Sequence, residues 1–118
     1  MHNRSSSFVK ITYLKGSEIR AQIHRAAQAL KQNPNVAKVY LFGSFVRGDY
    51  TPGSDADISI ILKNDERRII DRIPEYLGYF AEVKVPVDVF PYTLAEIDEM
   101  KASNNSLWRE ILATGVEL

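Results

Sequence analysis

Two aspartates, Asp55 and Asp57, stand two positions apart at the head of an apolar run that ends at Leu62. Side chains alternate between the two faces of a β-strand, so both carboxylates point to the same side. Carboxylates on one face of a buried strand repel each other unless a cation lies between them. Hard oxygen ligands favour Mg²⁺ over softer metals, and the pair therefore predicts a magnesium site.

A Gly-Ser pair, Gly43-Ser44, ends the preceding apolar run Val39–Phe42. Glycine allows the backbone to approach a ligand closely, and a turn that leads into a helix directs N–H groups at an anion. A phosphate cradle beside a carboxylate pair predicts a nucleoside triphosphate held with its Mg²⁺. Arg47 is a further candidate because arginine suits bidentate phosphate binding, and an internal pair with Asp49 is the alternative.

The whole segment GSFVRGDYTPGSDADI, residues 43–58, resembles the signature of the DNA polymerase β nucleotidyltransferase superfamily. More narrowly, it is similar to the motif of the minimal nucleotidyltransferases, or MNT proteins. The resemblance covers roughly residues 36–90 and implies a third carboxylate on a neighbouring strand. Asp88, in the middle of the apolar stretch VPVDVF, is the candidate. The other interpretation of Asp88 is an edge-strand carboxylate that faces water.

The elements outside the motif follow from apolar periodicity and from capping residues. A helix is predicted from Gly16-Ser17 to about Gln32, and a second from Asn64 to about Glu82, with Pro74 expected to kink or split it. Thr93 and Glu96 match a capping box that opens a last helical region, which Ser103–Ser106 interrupts and which ends at Gly115.

These elements predict an α+β fold, in which a small mixed β-sheet has helices packed on one face. The loop between the two motif strands is too short for a crossover helix, so the strands are expected to be antiparallel neighbours. The Asp88 strand should lie beside the strand of Asp55 and Asp57. The nucleotidyltransferase fold that the resemblance implies has the same architecture.

The 118 residues suit one domain, 1–118, which we divide into an N-terminal arm (1–15), a catalytic core (36–90) and a C-terminal helical segment (93–118). Fifteen basic and fifteen acidic residues cancel, so no global field recruits nucleic acid or a membrane. The absence of cysteine excludes disulfides and thiolate metal sites. Neither a signal peptide nor a membrane span is visible, and the expected location is the cytoplasm.

The resemblance implies transfer of a nucleoside monophosphate to a hydroxyl, with ATP as the nucleotide substrate and two Mg²⁺ ions as cofactors. Asp55, Asp57 and Asp88 are its expected metal ligands and catalytic residues. Gly43 and Ser44 are expected to hold the phosphates through backbone N–H and hydroxyl groups. Standalone MNT proteins are typically paired with HEPN-domain toxins, so adenylylation of a HEPN partner by an antitoxin is the implied activity.

Two alternatives stay open from the sequence. The chain could be a non-catalytic antitoxin or binding module that neutralises a partner by burying it. It could instead modify a small molecule such as an antibiotic, although larger relatives carry an additional domain for that task. A homo-oligomer is possible, and the preference for adenine rests on the resemblance alone.

Overall fold

The computed structural model describes residues 16–48 and 53–118 of the chain, and the expected N-terminal arm 1–15 lies outside these ranges. The helices are α1 (Gly16–Leu30), the single turn α2 (Ser44–Arg47), α3 (Ile69–Leu77, followed by a 3₁₀ turn at Gly78–Phe80), α4 (Leu94–Ala102) and α5 (Ser106–Thr114). The strands are β1 (Val36–Phe42), β2 (Ala56–Leu62), β3 (Val87–Thr93) and β4 (Val116–Glu117).

The four strands form one mixed sheet in the order β3-β2-β1-β4. Strand β1 pairs antiparallel with β2 and with β4, whereas β2 and β3 are parallel. The α+β class and the mixed sheet are therefore confirmed. The antiparallel pairing of the two motif strands, β1 and β2, is confirmed as well, and we call this pair the motif hairpin. The parallel neighbour of β2 is the strand that carries Asp88, as expected, because α3 supplies the long connection that parallel strands require.

One face of the sheet forms the main hydrophobic core with α1. Alternate residues of β1 and β2 point to this face, and they pack against the apolar stripe of α1 and the aromatic residues of α3 and of the 3₁₀ turn that follows it. The buried members include Ile19, Ile23, Ala27, Leu30, Val39, Leu41, Ile58, Ile60, Tyr76 and Phe80. The predicted α1 stripe is confirmed, and it holds the motif hairpin on a rigid base.

The opposite face of the sheet is apolar at one end and acidic at the other. Ile61 packs there against Ile97 and Met100 of α4, with the half-buried Trp108 of α5 beside them. Helices therefore cover part of this face as well, in addition to the one face expected from the sequence. Every second residue of β2 points to this face, so Asp57 lies on the same face as Ile61, beyond the contacts with α4.

Helix α3 begins at Ile69, later than the predicted start at Asn64. The Asp65 carboxylate accepts hydrogen bonds from the backbone N–H and the guanidinium of Arg67, and these bonds favour a turn over a helix at this point. Pro74 lies inside the helix without splitting it. The predicted interruption of the C-terminal region is confirmed, because the chain turns between α4 and α5.

A buried arginine, Arg72, ties α3 to the start of α4. Its guanidinium binds both carboxylate oxygens of Glu96 at 2.7 and 2.9 Å and donates to the carbonyls of Asp65, Arg67 and Pro91. Only 2% of the Arg72 side chain is exposed. Glu96 also closes the predicted capping box with Thr93. This junction fixes where β3 ends, and β3 carries Asp88.

Replacing Arg72 with methionine is expected to lower the free energy of unfolding by about 3 kcal/mol, because a carboxylate and three carbonyls lose their shared donor. Urea denaturation of the variant measures this change. Arg68→Met is the matched control, since Arg68 is exposed and pairs with Asp71 across one helical turn. Equal stability of the two variants would contradict a structural role for Arg72.

Candidate active site

The motif hairpin changes direction at Gly43 in a conformation that other residues rarely adopt. Gly43 has φ 84° and ψ −149°, a combination that belongs almost exclusively to glycine. A Cβ atom added there would lie 2.5 Å from Oδ2 of Asp57. Gly43 therefore allows the Asp57 carboxylate to lie directly against the backbone at the end of β1.

The single turn α2 follows Gly43 and is held by hydrogen bonds to the carbonyls of Gly43 and Phe45. The Gly43 carbonyl accepts hydrogen bonds from the N–H groups of Val46 and Arg47, each at 3.0 Å. Phe45 is buried in the core, and its carbonyl accepts a hydrogen bond from the guanidinium of Arg20 on α1. The half-buried Ser44 thus sits on a fixed turn beside Asp57.

Asp55, Asp57 and Asp88 come together at the acidic end of the sheet. Asp57 and Asp88 are direct partners in the parallel register of β2 and β3, and Asp55 is close enough to Asp88 to raise its pKa. Asp57 is half-buried, whereas Asp55 and Asp88 are exposed. The sequence predicted this grouping, and the structure places Asp57 directly against the Gly43-Ser44 turn.

The electrostatics of the group reflect its crowding. Burial first, and then the charges of Asp88 and Asp55, raise the pKa of Asp57 from 3.8 to about 6, while the charge of Arg47 acts in the opposite direction. Burial and the hydrogen bond with Asp55 raise the pKa of Asp88 as well. Three neighbouring carboxylates form a site whose negative charge a divalent cation would neutralise.

The fit of this site to Mg²⁺ rests on donor chemistry. All three side chains offer the hard oxygen ligands that Mg²⁺ prefers. Within residues 16–48 and 53–118, no group of three or more histidine, aspartate or glutamate side chains is placed to hold a metal ion as it stands. The mutual repulsion of the carboxylates, rather than a preformed cage, is what favours a cation here.

Helix α5 supplies contacts to the turn that the sequence did not indicate. The Gly43 N–H donates to Oγ1 of Thr114 at 2.9 Å, and Arg47 forms an ion pair with Glu110. The predicted alternative partner, Asp49, lies outside the described residues. Because the Gly43 N–H is already engaged, the contribution of Gly43 in this conformation is steric, and its contact with phosphate stays a prediction.

The family of the chain follows from comparison with known proteins. The model of the nucleotidyltransferase domain matches residues 23–111, which include the motif hairpin, the Asp88 strand and most of α5. The chain belongs to the nucleotidyltransferase domain family. The resemblance read from residues 43–58 is thus confirmed.

Three individual proteins are similar to this chain. The nucleotidyltransferase is 33% identical over 87 residues to a Methanocaldococcus jannaschii protein provisionally named a protein adenylyltransferase, a match that covers 72% of this chain and 80% of the relative. A chain in the crystal structure of a mutant MntA–HpeT toxin–antitoxin is 25% identical, with a TM-score of 0.56 over 80% of this chain and 69% of that one. A Sulfolobus solfataricus crystal structure, described as a candidate nucleotidyltransferase, is 27% identical with a TM-score of 0.47, and the match covers 77% of this chain and 78% of that one.

Family membership makes the protein an enzyme of the nucleotidyltransferase class, with the acidic end of the sheet as its candidate active site. No helix within the described ranges is long and apolar enough to cross a membrane.

Proposed function

We propose that this nucleotidyltransferase transfers AMP from ATP to a hydroxyl group of a protein partner, with Mg²⁺ as cofactor. The observation that supports the proposal is that Asp55, Asp57 and Asp88 lie together in a member of this family, with Asp57 against the Gly43-Ser44 turn. Phosphoryl transfer depends chiefly on positioning and on neutralising charge, and these residues supply the means for both.

Each residue has a defined part in the proposed reaction. Asp55, Asp57 and Asp88 would hold Mg²⁺, which, when bound, neutralises the triphosphate and stabilises the entering and leaving oxygens. Ser44 and the turn around it orient the phosphates. The acceptor oxygen forms a bond to the α-phosphorus as the bond to the β-phosphate oxygen breaks, and pyrophosphate leaves. Asp88, on the strand beside Asp57, takes the proton of the acceptor hydroxyl.

An apolar groove beside Asp88 supports an acceptor with an apolar body. The groove has a volume of about 440 Å³ and runs between α3 and β3, with Ile69, Ile73 and Leu77 on one side and Asp88 among the lining residues on the other. An aromatic side chain that carries a hydroxyl would pack along these walls at the edge of β3, where Asp88 is one of the lining residues. A tyrosine is therefore the proposed acceptor residue.

The proposed partner is a HEPN-domain toxin, and the nucleotidyltransferase would be its antitoxin. Two comparisons support this assignment, the relative named for protein adenylylation and the structural similarity to a toxin–antitoxin chain. Modification of the toxin, rather than binding alone, follows from the presence of all three carboxylates, since a chain that acts only by burying its partner has no need of them.

Incubation of the purified protein with its cognate HEPN partner, Mg²⁺ and ATP labelled at the α-phosphate tests the proposal. The partner should gain the label on a tyrosine, identified by mass spectrometry, and chelation of Mg²⁺ should stop the reaction. Asp55→Asn/Asp57→Asn should transfer no label, while Asp98→Asn, an exposed change on α4, should behave as the wild type. Neutralisation of the toxin by the double variant without any labelling would instead support the binding module.

A further inference from the structure

The C-terminal end of α5 holds the start of the candidate nucleotide-binding turn through one hydroxyl group. Oγ1 of Thr114 donates to the carbonyl of Glu110 at 2.9 Å, so its oxygen is left to accept the Gly43 N–H at 2.9 Å. Gly43 is buried, and a buried backbone N–H requires a partner. The Thr114 hydroxyl is therefore a bridge between the helix and the turn.

The end of the same turn is held by the side chain of Glu110, one helical turn before Thr114. Its carboxylate pairs with the guanidinium of Arg47, the last residue of α2. The two side chains are 44% and 38% exposed, and an ion pair with that exposure adds little to stability. Its main effect is geometric, because it fixes the direction of the Arg47 side chain next to Asp57.

Helix α5 is linked through β4 to β1, the strand that leads into Gly43. The helix ends at Thr114, and a Cβ atom on the next residue, Gly115, would lie 2.4 Å from the Ile111 carbonyl oxygen. Strand β4 follows at once and pairs with Tyr40 and Leu41 of β1. Because this connection is short and hydrogen-bonded, Thr114 and Glu110 are presented to the turn from a fixed support.

We propose that Thr114 and Glu110 are positioning residues that set the Gly43–Arg47 turn in the conformation that binds the nucleotide. Neither side chain needs to touch the triphosphate for this role. Thr114 holds the first residue of the turn, Glu110 holds the last, and Ser44 lies between them. The inference rests on the proposed function, since it assigns to α5 the control of the same nucleotide site.

Titration calorimetry with Mg²⁺ and a non-hydrolysable ATP analogue tests the proposal on the full chain. Thr114→Val keeps the shape but removes the hydroxyl, and it should weaken nucleotide binding about 5- to 10-fold, the effect expected for one lost hydrogen bond. Glu110→Ala should weaken it by a similar factor. Thr114→Ser retains the hydroxyl and should bind within about 2-fold of the wild type. Leu112→Ala, an exposed change on the same helix, is the matched control.

Hydrogen exchange at the Gly43 amide gives a second readout. The amide should exchange faster in Thr114→Val and at the wild-type rate in Thr114→Ser and Leu112→Ala. If folded Thr114→Val and Glu110→Ala bind the nucleotide as tightly as the wild type, the contacts are merely structural and the inference is overturned. If the wild type binds no nucleotide, the proposed function fails first, and the inference falls with it.

Discussion

Asp57→Asn is expected to reduce nucleotide transfer by about 10³-fold or more, since the change removes a charged ligand at the centre of the site. The same variant is expected to be more stable than the wild type at neutral pH in the absence of a divalent cation. At that pH the Asp57 carboxylate of the wild type is ionised, half-buried and next to two further carboxylates. Asparagine has nearly the same shape and no charge.

The sign of the pH dependence follows from the pKa of Asp57, which is 3.8 in the unfolded reference and about 6 in the folded protein. The folded state holds the proton more tightly, so this group favours folding below pH 3.8, and its contribution is lost as the pH rises from 3.8 to about 6. Above that range the variant gains its full advantage over the wild type. Below it, the protonated aspartate and the asparagine should be equivalent.

Thermal unfolding with EDTA at several pH values measures this effect, and labelling of the acceptor measures transfer. Because Asp57 is only half-buried, solvent screening limits the expected gain in stability to about 1 kcal/mol, which raises Tm by about 4 °C for a domain of this size. Asp98→Asn is the control for both measurements. A variant that loses stability equally at every pH, or that still transfers AMP, would contradict this account of Asp57.

Gly43→Ala is expected to damage both the fold and the reaction. The backbone conformation at Gly43 is strained for any residue with a side chain, at a cost of about 1–3 kcal/mol. The new methyl group must also push the Asp57 carboxylate away, since the two would otherwise lie 2.5 Å apart. Displacement of a reacting group by about 1 Å lowers rates on the order of 10²-fold.

Gly48→Ala separates the two effects of the Gly43 substitution. Gly48 also has a positive φ, 88°, but an added Cβ would meet nothing within 4 Å. This control should lose about 1–2 kcal/mol of stability and retain transfer activity. Urea denaturation and acceptor labelling of both variants provide the comparison. If Gly43→Ala kept its activity, close packing of Asp57 against the turn would have no functional importance.

The local sequence was sufficient to predict the motif hairpin. Val39–Phe42 stops at a glycine, and Asp55 and Asp57 alternate with the buried residues of β2, so the turn and the side of the sheet that carries the carboxylates followed from short-range rules. The same rules identified α1, the capping box at Thr93 and Asp88 as a strand residue. The start of α3 was misplaced, because the Asp65 side chain stabilises a turn that apolar periodicity cannot detect.

The contacts that fix the site in place were decided by tertiary structure. Arg72 reaches Glu96 across 24 positions, and Thr114 reaches Gly43 across 71. A polar residue on a helix has many possible partners, and its sequence neighbours do not indicate which distant group the fold will bring to it. The residues that form each element are therefore readable from the chain, whereas the side chains that hold one element to another are selected only when the packed core sets their distances.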